Sequence, residues 1–346
     1  MLALVQWVAR VKAQFALYSV VCVCCVAFGG NLCNAEVRRV ESPASPTVIA
    51  RTLSGHTQVA ISPNGRFLAG TTSETTITVW DLTTGQALRT LDGHTLPILA
   101  LAIAPDNQTL LSTGHDRTLH LWNLQTGELK QTLSGHSDWV EALAISPTGD
   151  YMASGGGDRQ IRIWSLHALS ASLQKVFSGH STFIASLAIS PNGEYLASGS
   201  WDEIRIWQVS TGQLIHRFQH QTLGINALVF SPDSTYVIGG AGDRTLQVWN
   251  VRTGELQRTF TAHQAAIRSL ALSPDGEWLI TGSLDNTISI WNWRTGTKIR
   301  TLSRQPSVVE SVALSADGST LATGGWGNII KLWNWQTGEE VQVLND

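Results

Sequence analysis

Residues 93–133 read GHTLPILALAIAPDNQTLLSTGHDRTLHLWNLQTGELKQTL. A short apolar run, 99–103, stops at Pro105-Asp106-Asn107. A second run, 109–114, reaches His115-Asp116-Arg117, which turns the chain into a third, 118–122. Thr126-Gly127 turns it again into 129–133. Short β-prone runs separated by turn residues predict four antiparallel strands in this one stretch.

The stretch is one copy of seven. Trp80, Trp122, Trp164, Trp207, Trp249, Trp291 and Trp333 recur at intervals of 42 or 43 residues. Gly-His precedes the first four, at Gly55-His56, Gly93-His94, Gly135-His136 and Gly179-His180. The fifth and sixth keep the His (His220, His263), and the seventh has Gln305 there. A period of this length marks a repeat architecture. Four short strands per period make the blade of an all-β propeller. Seven copies fill residues 55–346 and leave no room for another domain.

Composition agrees. Gly is 31 residues and Trp 14, while charged residues are only 14% of the 346. That is too apolar for a disordered chain. The net charge of −3 gives no basic excess for a nucleic-acid backbone. All four cysteines lie between Cys22 and Cys33, so neither a cysteine zinc site nor a disulfide framework is expected in the repeats.

Residues 1–35 differ from the rest. They contain no acidic residue, and Arg10 and Lys12 precede an apolar run at 13–30. Cys33-Asn34-Ala35 then places small residues at −3 and −1 of a cleavage point before Glu36. This reads as a secretory signal. An uncleaved membrane anchor through 13–30 and a mis-started cytoplasmic chain are the alternatives. Residues 36–46, with Pro43 and Pro46, read as a linker, which leaves 47–346 for the propeller.

With Gly-His, Ser-Pro-Asn/Asp-Gly, Ala-Ser-Gly, Asp and Ile-x-Ile-Trp-Asn repeated in phase, the chain resembles the WD-repeat β-propeller family. Only Trp80-Asp81 is a literal Trp-Asp at the end of a third strand, and four repeats have Trp-Asn. The Trp-Asn-Trp style resembles bacterial members. The resemblance implies a hydrogen-bonded network of His, Ser or Thr, Asp and Trp in each intact repeat. Carried over, these are His94, Ser112, Asp116, Trp122; His136, Ser154, Asp158, Trp164; His180, Ser198, Asp202, Trp207; and His263, Thr281, Asp285, Trp291. Three repeats depart. The first has Gly70 and Glu74, the fifth Gly239, and the seventh Gln305 and Gly327. Members usually close their ring with an N-terminal strand, which implies residues 48–53, with 340–344 competing for the same edge.

The Ser-His-Asp trios invite a hydrolase reading, yet the same trio recurs at every intact repeat. No nucleophile elbow or phosphate loop is present. His216 and His220 have metal-ligand spacing only on a helix, and here they fall on a strand and a loop. No catalytic residue, cofactor or metal is expected. The resemblance implies docking on the face that carries the His loops and the turns before the third strands. Trp139, Glu141, Phe183, Trp201, Arg268, Leu284, Glu310 and Trp326 take the positions that point there. The expectation is therefore a monomeric, non-enzymatic scaffold for a protein or peptide, exported or membrane-attached, with no nucleic-acid partner. A cytoplasmic regulatory module and an enzyme with substrate in the central channel are the rivals.

Overall fold

The computed structural model describes residues 57–167, 169–219, 223–302 and 305–344. Among them lie seven four-stranded antiparallel sheets, each formed from four consecutive strands. Each is a blade, numbered 1–7 in chain order. Blade 2 contains Ile98–Ile103, Thr109–Gly114, Leu119–Asn123 and Leu129–Leu133, as the sequence predicts. The first strand of every blade touches the first strands of both neighbours, and that of blade 7 touches that of blade 1. The ring is closed, with first strands around its axis and fourth strands on its rim.

Local chemistry makes each turn. In blade 1 the Ser62 hydroxyl donates to Asn64 Oδ1 (2.7 Å) and accepts from Phe67 N–H (2.9 Å). Gly65 N–H closes the turn on Ser62 O, with φ of +70°, a region only glycine enters freely. On the third hairpin of blade 2, Asn123 Oδ1 accepts from Gln125 and Thr126 N–H, both at 2.9 Å. Asp81 does the same for Thr83 in blade 1. The turn requires one acceptor oxygen, so Trp-Asn serves as well as Trp-Asp. A register shift before each of the seven tryptophans bulges the third-to-fourth strand pairing at that residue.

Blades pack face to face. Ile77, Val79 and Leu91 of blade 1 meet Ile98, Leu110 and Trp122 of blade 2 in one apolar cluster. The Ala-Ser-Gly pattern has a steric cause. A Cβ on Gly155 would lie 3.0 Å from Ile184 of the next blade, and one on Gly199 2.9 Å from Ile225.

Ring closure differs from expectation. Glu339–Leu344 pairs with Ile330–Asn334 as the fourth strand of blade 7. Leu344 is buried with Val59, Leu68 and Trp80 of blade 1, and Lys331 pairs with Glu340 at 2.6 Å. The cause is proximity. The C-terminal strand reaches this edge through a tight hairpin at Gly338, whose N–H bonds Asn334 O. Residues 48–53, the other candidate, lie outside the described residues, as do the signal, anchor and linker readings of 1–46 and the histidines at 56 and 220. The seam is joined by Val59 N–H donating to Ser311 Oγ (3.2 Å) and Thr57 N–H to Gly325 O (3.3 Å).

Candidate functional site

The networks hold the loops of the candidate face. In blade 2 the buried indole N–H of Trp122 donates to Ser112 Oγ at 2.9 Å. Ser112 Oγ lies 2.7 Å from His94 Nε2, and His94 Nδ1 lies 2.8 Å from Asp116 Oδ2. A carboxylate only accepts, so Nδ1 carries the proton and Nε2 receives the serine O–H. Blade 3 repeats this with Trp164, Ser154, His136 and Asp158, and blade 6 with Trp291, Thr281, His263 and Asp285. Burial raises the Asp116 carboxyl, but His94, Thr118 and Thr95 outweigh it and hold the group below its usual range. Ser112 and Ser154 are wholly buried and already receive an indole N–H. They cannot meet a substrate, and the hydrolase reading fails on access.

Blade 4 corrects one assignment. His180 and Trp207 meet Ser198 as expected, at 2.6 and 2.8 Å. Asp202 does not reach His180. Its carboxylate accepts from the Ser181, Thr182 and Ser200 hydroxyls. Glu203, wholly buried, faces His180 Nδ1 at 3.5 Å and holds Arg205 (2.6 Å) and Arg217. The spacing explains the exchange. Asp lies six residues before Trp in blades 2, 3 and 6, but Asp202 lies five before Trp207. The shorter turn lifts Asp202 out of the network and leaves Trp201 at its tip, half exposed at 50%.

In blade 7, Trp333 donates to Thr323 Oγ1 at 3.0 Å. A cavity of about 10 Å³ lies beside Gln305, Thr323 and Gly325. Trp293 and Trp335 are buried on the opposite face and donate to Gly276 O and Gly318 O, which makes them packing residues.

The eight positions expected on the docking face fall into two groups and a remainder. Trp139, Phe183 and Trp201 form a continuous line, with ring centroids 6.2 and 6.0 Å apart. His115 of blade 2 extends the line at 6.0 Å from Trp139. It stands one residue before its network Asp, the same signal that singled out Leu284, and sequence reasoning passed over it. Glycines accommodate the rings. A Cβ on Gly157 would lie 2.8 Å from the Trp139 ring, and one on Gly224 3.3 Å from Trp201.

The second group lies where the first strands begin. Arg268 donates to Glu310 Oε2 at 2.7 Å, and Trp326 donates to Glu310 Oε1 at 3.1 Å. Burial lowers the Arg268 pKa, but Glu310 and then Glu141 raise it above its usual value. Glu141 thus lies within electrostatic reach of Arg268. Leu284 is half-buried and joins neither group. Glu141, Arg268 and Glu310 are the second residues of the first strands of blades 3, 6 and 7, so these otherwise largely apolar strands open with charge.

His94, Asp116 and His120 bring three nitrogen or oxygen ligand atoms within 4.8 Å of one another. The two imidazoles, however, are stacked, 4.0 Å apart and 15° from parallel. Ring nitrogens coordinate in the ring plane, and two parallel planes share no point for one ion. The cluster is read as a stacked pair, with His120 pushed down to about 4, first by burial and then by the charge of His94. His216, the sequence's other metal candidate, bonds Arg252 O.

Comparison with known families agrees with this geometry. Residues 166–345 match the family model described as IFT122 first beta-propeller. Residues 48–81, 85–123 and 127–165 match the WD domain, G-beta repeat model. The chain belongs to the WD-repeat β-propeller family. No curated protein matches it. WD-repeat propellers are in general non-enzymatic scaffolds that bind protein partners, and the buried Ser-His-Asp trios here are consistent with that role.

Proposed function

We propose that this WD-repeat propeller is a non-enzymatic scaffold that docks a protein or peptide on the face carrying the His loops. The observation that carries the reading is the ring line His115–Trp139–Phe183–Trp201 across blades 2, 3 and 4. A half-exposed Trp supported by neighbouring rings is the kind of anchor that dominates binding interfaces. Arg268 and Glu310 are bound to each other, which favours a scaffold over acid–base chemistry in the channel. Export or membrane attachment is part of the proposal and rests on the sequence of residues 1–35.

A pull-down from an envelope fraction tests the docking. The baits are the full chain and its Trp139→Ala/Phe183→Ala/Trp201→Ala variant, both first shown to be folded. A partner held by the parent and lost by the variant supports the reading. Equal capture by both returns the rings to packing. N-terminal sequencing of the native protein tests export: a start at Glu36 supports it, and a soluble product starting at Met1 defeats it.

A further inference from the structure

We propose that a groove between blades 2 and 3, on the face opposite the His loops, binds an ammonium group carried on an aromatic ring. The site is separate from the docking face and stands without it.

In blades 1, 3, 4, 5 and 6 the residue that opens the second strand is aromatic: Phe67, Tyr151, Tyr195, Tyr236 or Trp278. Each shares an apolar cluster with the residue two positions after the repeat Trp of the next blade. Tyr236 and Trp293 meet in this way with ring centroids 5.6 Å apart. Blade 2 has Thr109 at that position, and its hydroxyl donates to Asp106 Oδ2 at 2.7 Å. Blade 3 has Leu166 where blade 6 has Trp293. Between these two small residues lies an open cavity of about 430 Å³, within the roughly 300–1,000 Å³ of small-molecule pockets. Blade 7 also has a threonine, Thr320, but blade 3 adds a wall. Its third and fourth strands, Gln160–His167 and Ser170–Ser178, have eight and nine residues, against five to seven in the other blades. The Gln131 amide of blade 2 clamps this hairpin, donating to Ala171 O at 3.0 Å and accepting from Ala171 N–H at 2.7 Å.

The lining sets the chemistry. Ala104 and Leu166, both buried, supply apolar surface. Asp106, Gln108, Asp150 and His167 supply the polar part, and no lysine or arginine lines the cavity. The Asp106 carboxylate accepts from the Gln108 and Thr109 N–H groups. The side chains of Gln108, Asp150 and His167 are exposed and have no hydrogen-bond partner among the described residues. Two carboxylates with no basic residue beside them in the lining select a cation. The position where five other blades place a ring of their own selects an aromatic body, which buries the most apolar area in a groove of this kind.

The test titrates the full chain by isothermal calorimetry with phenethylamine and with phenylacetate, which keeps the ring and reverses the charge. The amine should bind about tenfold more tightly or better. Asp150→Asn should weaken the amine about threefold, as for an exposed charge pair. Thr109→Tyr supplies the ring that blade 3 carries as Tyr151 and should abolish binding. Leu166→Trp fills the groove from the other blade and serves where the first variant does not fold. Phe-Gly-Gly amide presents the same ring and ammonium at the start of a polypeptide. Tighter binding than phenethylamine assigns the site to a peptide terminus, and weaker binding to a free amine. Equal binding of phenethylamine and phenylacetate would overturn the cationic class. Amine binding that persists in the filled variants, or no binding by the parent, would overturn the site.

Discussion

Blade 4 offers a direct contest between alignment and geometry. Aligned by residue type, Asp202 is the network acid, and replacing it should be as costly as replacing Asp116. In the structure Glu203 is the buried acid, wholly inaccessible, and the Arg205 side chain beside it is only 9% exposed. Glu203→Gln removes the negative charge and leaves Arg205 largely buried without its counter-ion. Breaking such a pair costs about 3–5 kcal/mol. Asp202→Asn retains an acceptor oxygen at a partly exposed turn and should cost about 1 kcal/mol. For a domain of this size, 1 kcal/mol moves Tm by about 2 °C. The two variants should therefore separate, with losses of about 6–10 °C against about 2 °C. Urea unfolding followed by tryptophan fluorescence checks the order, provided the slopes agree. If Asp202→Asn is the more damaging, the exchange of acids is wrong, and with it the account of why Trp201 stands at the tip of its turn.

Two further expectations concern acid and the ring seam. His120 and His180 are both pushed down to about 4, chiefly by burial. Each is protonated in the unfolded chain below about pH 6.5 while the fold still keeps it neutral. Stability is therefore full above pH 6.5 and falls between 6.5 and 4, by about 2 kcal/mol per histidine at pH 5. The shift of the urea midpoint between pH 7.5 and pH 5 should shrink in His120→Gln, and an unchanged shift would refute the assignment. Ending the chain at Asn334 removes the strand Glu339–Leu344, which uncovers the pocket of Leu344 and frees a sheet edge. A large loss of Tm with aggregation is expected, and a near-parental melt would show that another segment closes blade 7.

Much of this was legible in the sequence because the repeat multiplies every signal. The strands of blade 2 and the turns at Ser62 and Thr126-Gly127 follow from the repeated pattern, and the networks at His94, His136 and His263 from the family resemblance that the pattern carries. What escaped lay where spacing changes by one residue or where two elements meet. A single missing residue before Trp207 exchanged Asp202 for Glu203. The stacking of His120 on His94, and the Arg268–Glu310 pair linking blades 6 and 7, depend on which strands become neighbours. The closing strand was undecided because 48–53 and 340–344 carry the same pattern, and a pattern does not record which copy is nearer.

The departures in blade 4 have a shared logic. A buried carboxylate with two arginines seldom gains stability over apolar packing, and the other intact blades manage with one Asp. The cluster does, however, anchor the strand that starts at Glu203, immediately after the tip that carries Trp201. Arg205 donates to Gly179 O at 2.7 Å, which ties that strand to the loop preceding Phe183. The same residues thus fix both sides of the Phe183–Trp201 contact. A Trp at the tip of an unsupported turn would lose its orientation entropy on meeting a partner, at a cost of about 0.5–1.5 kcal/mol for each side chain so ordered. Here the Phe183 ring, 6.0 Å from that of Trp201, restrains it before binding and so reduces that cost. The irregularities of blade 4 therefore converge on a single exposed ring, which is where a docking surface gains most from rigidity.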